Sequence, residues 1–257
     1  MIGLYDSGLG GLTVLRALRG AGVDQDVVYF ADQAHVPYGD RTDAQILGYL
    51  SENLALLAEL DVAAVVTACN TSCAIAQRAG WPATAFPVLD IVATAGASFA
   101  GSPLRKIGVV ATAATVRSGA YGRAIRAAAP HAEVVELAAP PLVPLVERGA
   151  ADSDAARDAV AAVVAALPDD LDALVYGCTH YPLLDAWFAG ALGPNVARID
   201  PAHAQAAATN ALVARLGLPA GNGTTTYYTN GDPVAFEASV RRWTGDLTGR
   251  VAGLVAR

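Results

Sequence analysis

Two short stretches hold the side chains with the most chemistry in this chain. Val65-Val66-Thr67-Ala68-Cys69-Asn70-Thr71 and Leu174-Val175-Tyr176-Gly177-Cys178-Thr179-His180 each begin as an apolar run and end in a cysteine followed by hydrogen-bonding residues. Such a run reads as a buried strand that delivers reactive groups into a loop at its C-terminal end. In open α/β sheets that edge is where ligands bind. The two cysteines are 109 residues apart, and Ile107-Gly108-Val109-Val110 echoes Ile2-Gly3-Leu4-Tyr5 at an offset of 105. The agreement predicts an internal duplication into two α/β units of about 100 residues each. If the units face each other about a pseudo-twofold axis, Cys69 and Cys178 occupy equivalent places on opposite walls of one cleft. A thiolate near a helix N-terminus has a lowered pKa and can act as a base at neutral pH. Two such groups on opposite faces of one carbon can remove a proton from one side and return one from the other, inverting the centre. The bland alternative is that a cysteine is a small buried hydrophobe. That reading fits Cys73 better, because Cys69-x3-Cys73 matches no strong zinc spacing; no metal is expected.

Other candidates surround these two. Asp6-Ser7-Gly8-Leu9-Gly10-Gly11 follows a strand and opens a helix, so its backbone N–H groups can bind an anion. Thr13 stands where a dinucleotide fingerprint has its last glycine, which weakens that reading and leaves a carboxylate ligand. Asp6 either meets a substrate ammonium group, polarises Cys69, or caps its own turn. His180 is placed to act as the imidazolium partner of Cys178. Pro37-Tyr38-Gly39 is a loop signal. Of Thr112 and Thr115, at least one reads as a helix N-cap, leaving the other to bond a ligand. Glu147, in Val146-Glu147-Arg148-Gly149, looks on its own like a surface acid, and His35, His131 and His203 have no evident partners.

The elements that must position these groups alternate. Strands are expected at residues 2–5, 27–30, 62–67, 86–91, 107–110, 134–137, 171–176 and 224–229. Helices are expected near 12–18, 42–60, 71–78, 116–128, 155–167, 202–216 and 234–244, with a loop or short helix at 142–148 and a linker at Gly101-Ser102-Pro103. Alternation of this kind predicts parallel sheets with helices on both faces.

Composition removes several function classes. The net charge of −7 and the lack of any run of more than two basic residues argue against nucleic acid and anionic membranes. The longest apolar run, residues 159–167, is far short of the roughly 20 residues that span a bilayer. The N-terminus has no basic-then-apolar leader, and three cysteines make no disulfide framework, so reduced, cytoplasmic thiols are expected. Lys106 is the only lysine, and it precedes its strand, at the wrong end for a site. Pyridoxal chemistry, which needs a lysine for its Schiff base, is therefore not expected.

Asp6-Ser7-Gly8, Val36-Pro37-Tyr38-Gly39, Ala68-Cys69-Asn70-Thr71, residues 114–121 (Ala-Thr-Val-Arg-Ser-Gly-Ala-Tyr) and Gly177-Cys178-Thr179-His180-Tyr181-Pro182 together resemble the signatures of the glutamate racemases, within the aspartate/glutamate racemase family. They occur in the family's order and spacing, and Tyr227-Tyr228-Thr229-Asn230-Gly231-Asp232-Pro233 is similar to its C-terminal strand and turn. The resemblance covers nearly the whole chain. It implies two pseudo-symmetric flavodoxin-like domains, residues 1–97 with 206–257 carrying Cys69 and residues 98–205 carrying Cys178, with the active site in the cleft between them and no cofactor. It further implies that Cys69 takes the α-proton of D-glutamate and Cys178 that of L-glutamate, assisted by Asp6, His180 and Glu147. Asp6, Ser7, Tyr38, Gly39, Asn70, Thr71, Thr179 and His180 then match its substrate-binding positions, and Thr112 and Thr115, from the residue reading above, are further candidates to bind substrate. The expected role is supply of D-glutamate for peptidoglycan, and a homodimer is compatible with it. Related aspartate racemases typically carry an acid in place of the histidine after Cys-Thr, so His180 favours glutamate. The chain departs from the family at Ser72-Cys73 and in the compact segment from Pro140 to Glu147. Rival readings are a racemase for aspartate or another amino acid, a non-catalytic amino-acid binding module, and a thiol redox protein.

Overall fold

Strands buried on both faces read as near-continuous apolar runs, and β1 (Ile2–Asp6), buried along its whole length, is such a run until Asp6 at its C-terminal end. In the computed structural model, which describes residues 1–246 and 250–253, β1 leads through the glycine turn into α1 (Leu12–Gly20), β2 (Val27–Ala31), a 3-10 turn (Tyr38–Asp40), α2 (Asp43–Glu59), β3 (Val65–Thr67), α3 (Asn70–Ala79), β4 (Val88–Asp90) and α4 (Ile91–Ala97). The pattern then repeats with β5 (Lys106–Ala111), α5 (Ala113–Ser118), α6 (Ala120–Ala128), β6 (Glu133–Ala138), α7 (Leu142–Glu147), α8 (Asp154–Ala165), β7 (Ala173–Gly177), a 3-10 turn (Tyr181–Leu184), α9 (Asp185–Leu192) and β8 (Ala197–Ile199). The chain finishes with α10 (Pro201–Leu216), β9 (Thr225–Thr229), α11 (Pro233–Thr244) and β10 (Arg250–Gly253).

Two sheets result, ordered β10-β9-β2-β1-β3-β4 and β6-β5-β7-β8. Every strand pair in both is parallel. The expected α/β class with two sets of parallel strands is borne out, and the order shows the duplication: 2-1-3-4 in the first sheet matches 6-5-7-8 in the second. Each sheet reverses its winding at its central strand. The switch points, where such sheets bind ligands, lie at β1/β3 and β5/β7. Register brings the strand ends level there, with Tyr5 opposite Thr67 and Ala111 opposite Gly177.

Capping explains several boundaries. Thr42 and Gln45 form a reciprocal capping box at the start of α2, and Asp200 and Asp232 cap α10 and α11. The single helix expected at 116–128 is in fact two. Gly119 adopts φ +63°, a left-handed conformation that ends α5, and the Ser118 hydroxyl accepts from Ala120 N–H at 3.1 Å to start α6. The short elements α4, α9, β8 and β10 are additions to the sequence reading. Helix α10 packs on α1 and α4, returning the chain to the first sheet. One contiguous apolar cluster joins both sheets, from Leu4 and Val66 to Ile107 and Val175, and a second, with Tyr5, Val28, Phe30 and Val65, fills the space between the other face of the first sheet and α2.

Candidate active site

The Cys178 wall is built on β7. The strand ends at Gly177, where a Cβ would sit 2.9 Å from that of Ala111, so the backbones of β5 and β7 can close together only because the side chain is absent. Cys178 and His180 follow, 6% and 2% exposed. His180 Nδ1 lies 3.6 Å from Cys178 Sγ, and its Nε2 lies 2.6 Å from Glu147 Oε1 at the end of α7. Burial by itself lowers the His180 pKa, but the hydrogen bonds and charges of Cys178 and Glu147 outweigh it and hold the imidazolium well above its ordinary 6.5. Burial likewise pushes the Glu147 carboxyl up, and His180, with help from the Leu9 amide and Gln33, pulls it below its ordinary value. Glu147 is therefore a buried ion-pair partner rather than a surface acid.

The glycine turn reaches this pair from the other half. Leu9 N–H donates to Glu147 Oε1 at 3.0 Å, and Gln33 Nε2 approaches Oε2 at 3.5 Å. A side chain on Gly8 would collide with Glu147, and one on Gly10 would lie 2.6 Å from His180 Nδ1 and strike Thr179. The glycines thus serve close approach of the two halves. Asp6 is fully buried and anchors the turn, its Oδ2 accepting from Gly8 and Gly11 N–H at 3.1 and 2.9 Å. Its Oδ1 accepts from Thr179 Oγ1 at 3.3 Å across the cleft. Burial raises its carboxyl to about 6, against the opposing pull of His180 and the two amides.

The Cys69 wall corrects one expectation. Cys69 is the N-cap of α3, the place where a lowered thiol pKa is expected. Burial instead pushes the thiol up to about 12, with the Asp6 charge adding to the rise and the Ser7 and Ser72 hydroxyls opposing it. A helix end stabilises a thiolate only by a fraction of what desolvation removes at a site 3% exposed. The Ser72 hydroxyl lies 3.2 Å and its amide 3.4 Å from Cys69 Sγ. Cys73 is buried against Thr67 Oγ1 at 2.9 Å, inside the core.

Hydroxyls join the walls. Thr71 Oγ1 meets Thr112 Oγ1 at 2.9 Å, and Thr112 meets Thr115 at 3.0 Å. Thr112 is the N-cap of α5, which leaves Thr115 as the threonine without a capping task. Asn70 is held by Tyr121 OH, and Gly39 packs against Thr112. A cleft of about 480 Å³, its mouth included, is lined by Ser7, Tyr38, Gly39, Cys69, Asn70, Thr71, Thr112, Cys178, Thr179 and His180 among others. All the expected site residues line it except Asp6, Glu147 and Thr115, which sit one layer behind. Tyr38 faces the cleft with its hydroxyl already engaged, accepting from Tyr5 and donating to Asp32. Sequence reasoning missed Ser72, Tyr5, Asp32 and Gln33. Asp32, directly after β2, had a signal in its place at a strand's C-terminal end; the others had none. His35, left without a partner by the sequence, stacks on Tyr49 with centroids 3.9 Å apart and meets Asp32 at 2.7 Å. Among the described residues no group of three acids, histidines or cysteines is placed to hold a metal ion, and no helix is long and apolar enough to cross a membrane.

The family model for Asp/Glu/hydantoin racemases matches residues 13–209. A glutamate racemase of Gloeobacter violaceus is 42% identical over 244 residues, which is 95% of this chain and 92% of that one. Among solved structures, a glutamate racemase isoform from Bacillus anthracis superposes with a TM-score of 0.91 at 30% identity, covering 99% of this chain and 97% of its own. The Francisella tularensis glutamate racemase, solved in complex with D-glutamate, gives 0.87 at 29% identity over 98% and 96% of the two chains. Two like sheets that present a cysteine each to one cleft, with matches over nearly the full length, place this chain in the Asp/Glu/hydantoin racemase family.

Proposed function

We propose that this chain interconverts L- and D-glutamate without a cofactor, one thiol working on each face of the α-carbon. The observation that carries the reading is the pairing of Cys69 and Cys178 at equivalent strand ends of two like sheets, lining one cleft, in a chain whose relatives are glutamate racemases. With its thiol pushed up to about 12, Cys69 rests protonated, whereas the Cys178 sulfur has a positive imidazolium beside it. In the direction from L-glutamate, Cys178 takes the α-proton and the C–H electron pair remains on carbon, spread into the adjacent carboxylate. Cys69 then gives its S–H proton to the opposite face. The reverse reaction exchanges the roles.

The barrier lies in the carbanion, and pre-set donors lower it. The first-turn amides of α3 at Asn70 and Thr71 have no partners within the helix, and with Ser7 and the Thr179 hydroxyl they suit the substrate carboxylates. Gly39 and Thr112 serve the far end of the substrate, with Thr115 holding the Thr112 hydroxyl from behind and Tyr38 as a wall. Asp6 positions Thr179 and offsets the substrate ammonium; Glu147 holds His180. The sheet memberships support a first domain of residues 1–97 with 206–257 and a second of 98–205, with α10 running through the junction. The reading includes a cytoplasmic supply of D-glutamate for peptidoglycan, no nucleic-acid or membrane partner, and assembly as a homodimer.

The test is to follow L-glutamate and L-aspartate in D2O by circular dichroism and by the α-proton resonance. The glutamate signal decays to zero as deuterium enters the α-position, and aspartate is turned over far more slowly. Binding of glutamate without α-proton exchange would make the chain a binding module instead.

A further inference from the structure

A two-thiol racemase has a bookkeeping problem of protons after every turnover. Once L-glutamate has become D-glutamate, Cys69 has lost its proton and Cys178 has gained one. The next L-glutamate requires both to be reset. Cys178 has a short way out through His180 to Glu147 (3.6 Å, then 2.6 Å). Cys69 is 3% exposed and needs a route of its own.

We propose that Ser72, Tyr5, Tyr38 and Asp32 form a proton relay that reloads the Cys69 thiol from the His35 side of the molecule. The links are continuous. Ser72 Oγ is 3.2 Å from Cys69 Sγ, Tyr5 OH is 3.1 Å from Ser72 Oγ, and Tyr5 OH donates to Tyr38 OH at 3.0 Å. Tyr38 OH donates to Asp32 Oδ2. The second carboxylate oxygen, Oδ1, meets His35 Nδ1 at 2.7 Å, and the His35 side chain is 34% exposed. Between the sulfur and His35 every link is buried: Ser72, Tyr5, Tyr38 and Asp32 are between 0% and 2% exposed.

The Ser72 hydroxyl donates to the Cys69 sulfur, the Ser72–Tyr5 bond can run either way, and at rest Tyr5 donates to Tyr38 and Tyr38 to the Asp32 carboxylate. Reloading runs the other way. A proton that His35 gives to Asp32 Oδ1 reaches the Tyr38 oxygen once the carboxyl turns it to that side and the phenol O–H bonds swing toward the sulfur; Tyr38 then passes its own proton to Tyr5, Tyr5 to Ser72 and Ser72 to the thiolate. One O–H bond breaks and one forms at each hydroxyl, and only the ends change charge. Burial raises both phenols well above their ordinary 10, so neither waits as a phenolate and the transfers are concerted. Asn53 Nδ2, 3.1 Å from Asp32 Oδ2 and 3.4 Å from Tyr38 OH, holds the corner of the chain in place. Asn230 Nδ2 likewise donates to Asp32 Oδ1, so both side branches are amides that hold the carboxylate, and the hydroxyl chain itself runs from the reactive sulfur to a part-exposed imidazole.

The proposal rests on the two-thiol racemase reading, and its test separates the two. Tyr5→Phe keeps the ring in its core site and removes the middle link. A relay that reloads the free enzyme limits kcat and not kcat/KM. With L-glutamate the variant is expected to lose about tenfold in kcat while kcat/KM stays within about twofold. Ser72→Ala, which cuts the chain next to the sulfur with little change in packing, gives the same split and decides the matter should Tyr5→Phe fold poorly. Equal falls in kcat and kcat/KM mark a purely structural network and overturn the relay, as does an unchanged kcat in a folded variant. A wild-type protein that does not exchange the α-proton of glutamate overturns the racemase reading; a racemising wild type with no split in the variants overturns the relay alone.

Discussion

Asp6 is held in a place that its charge disfavours. Its folded pKa, about 6, lies above the ordinary 3.8 because the site is buried. The folded form therefore binds the proton more tightly than the unfolded one. Asp6 is least unfavourable to stability below pH 4, and the penalty grows as pH rises through the folded value, reaching about 3 kcal/mol at neutrality. Asp6→Asn can keep its oxygen on the Gly8 and Gly11 amides and turn its NH2 toward Thr179 Oγ1. Thermal denaturation across pH should find this variant more stable than wild type at pH 7, with the difference closing below pH 4, while its turnover falls. Glu147→Gln works in the opposite sense. His180 owes its raised pKa in part to Glu147, so removal of that charge lowers it, and the alkaline limb of kcat/KM should move down by about one pH unit. The ion pair's contribution to stability is complete above the ordinary carboxyl pKa of 4.5 and below the ordinary imidazole pKa of 6.5, and is lost as pH rises through the folded imidazolium pKa, so the loss of stability in the variant is read between pH 4.5 and 6.5. An alkaline limb that stays in place would show that Glu147 does not hold the imidazolium.

At the scale of elements, the turn after β1 decides how the halves meet. A methyl on Gly10 would push against His180 and Thr179, and overpacking of a closed contact costs about 1–3 kcal/mol. Gly10→Ala should lower stability by that amount and reduce kcat/KM more than Gly20→Ala, whose added Cβ meets nothing within 4 Å; equal effects on activity would mean the turn does not register the walls. This turn also marks the limit of what sequence conveys. Its glycines and its place between strand and helix are visible as a possible anion cradle, but that a loop 170 residues away fills the space over them is a fact of tertiary packing. The break at Gly119 was legible only in part, since a glycine inside a helical period is tolerated there at a cost of about 1 kcal/mol. The thiol of Cys69 was misread for a similar reason: its N-cap position is local and readable, whereas the burial that raises its pKa is global.

For the molecule as a whole, the repeat was the most legible feature. Two apolar runs ending in cysteine, and a second pair of strands at nearly the same offset, foretold two like sheets with their switch points turned to one cleft. The relay itself was not legible, because Tyr5, Tyr38 and Asp32 belong to different strands and loops and meet only when β1 and β2 pair. One apolar cluster runs through both halves, so unfolding should be a single cooperative transition. Glutamate at a hundred times its Kd should stabilise that unit by about 2.7 kcal/mol; two separate transitions, with only one responding to glutamate, would mean that the cleft is not shared.

The central claim, one thiol for each face of one carbon, is tested most directly by α-deuterium exchange in D2O with the Cys69→Ser and Cys178→Ser proteins, each offered L- and D-glutamate separately. Cys69→Ser should place deuterium in L-glutamate and Cys178→Ser in D-glutamate, neither forming the other enantiomer at a measurable rate. Racemisation at the normal rate by either variant, or exchange into both enantiomers by the same variant, would contradict it.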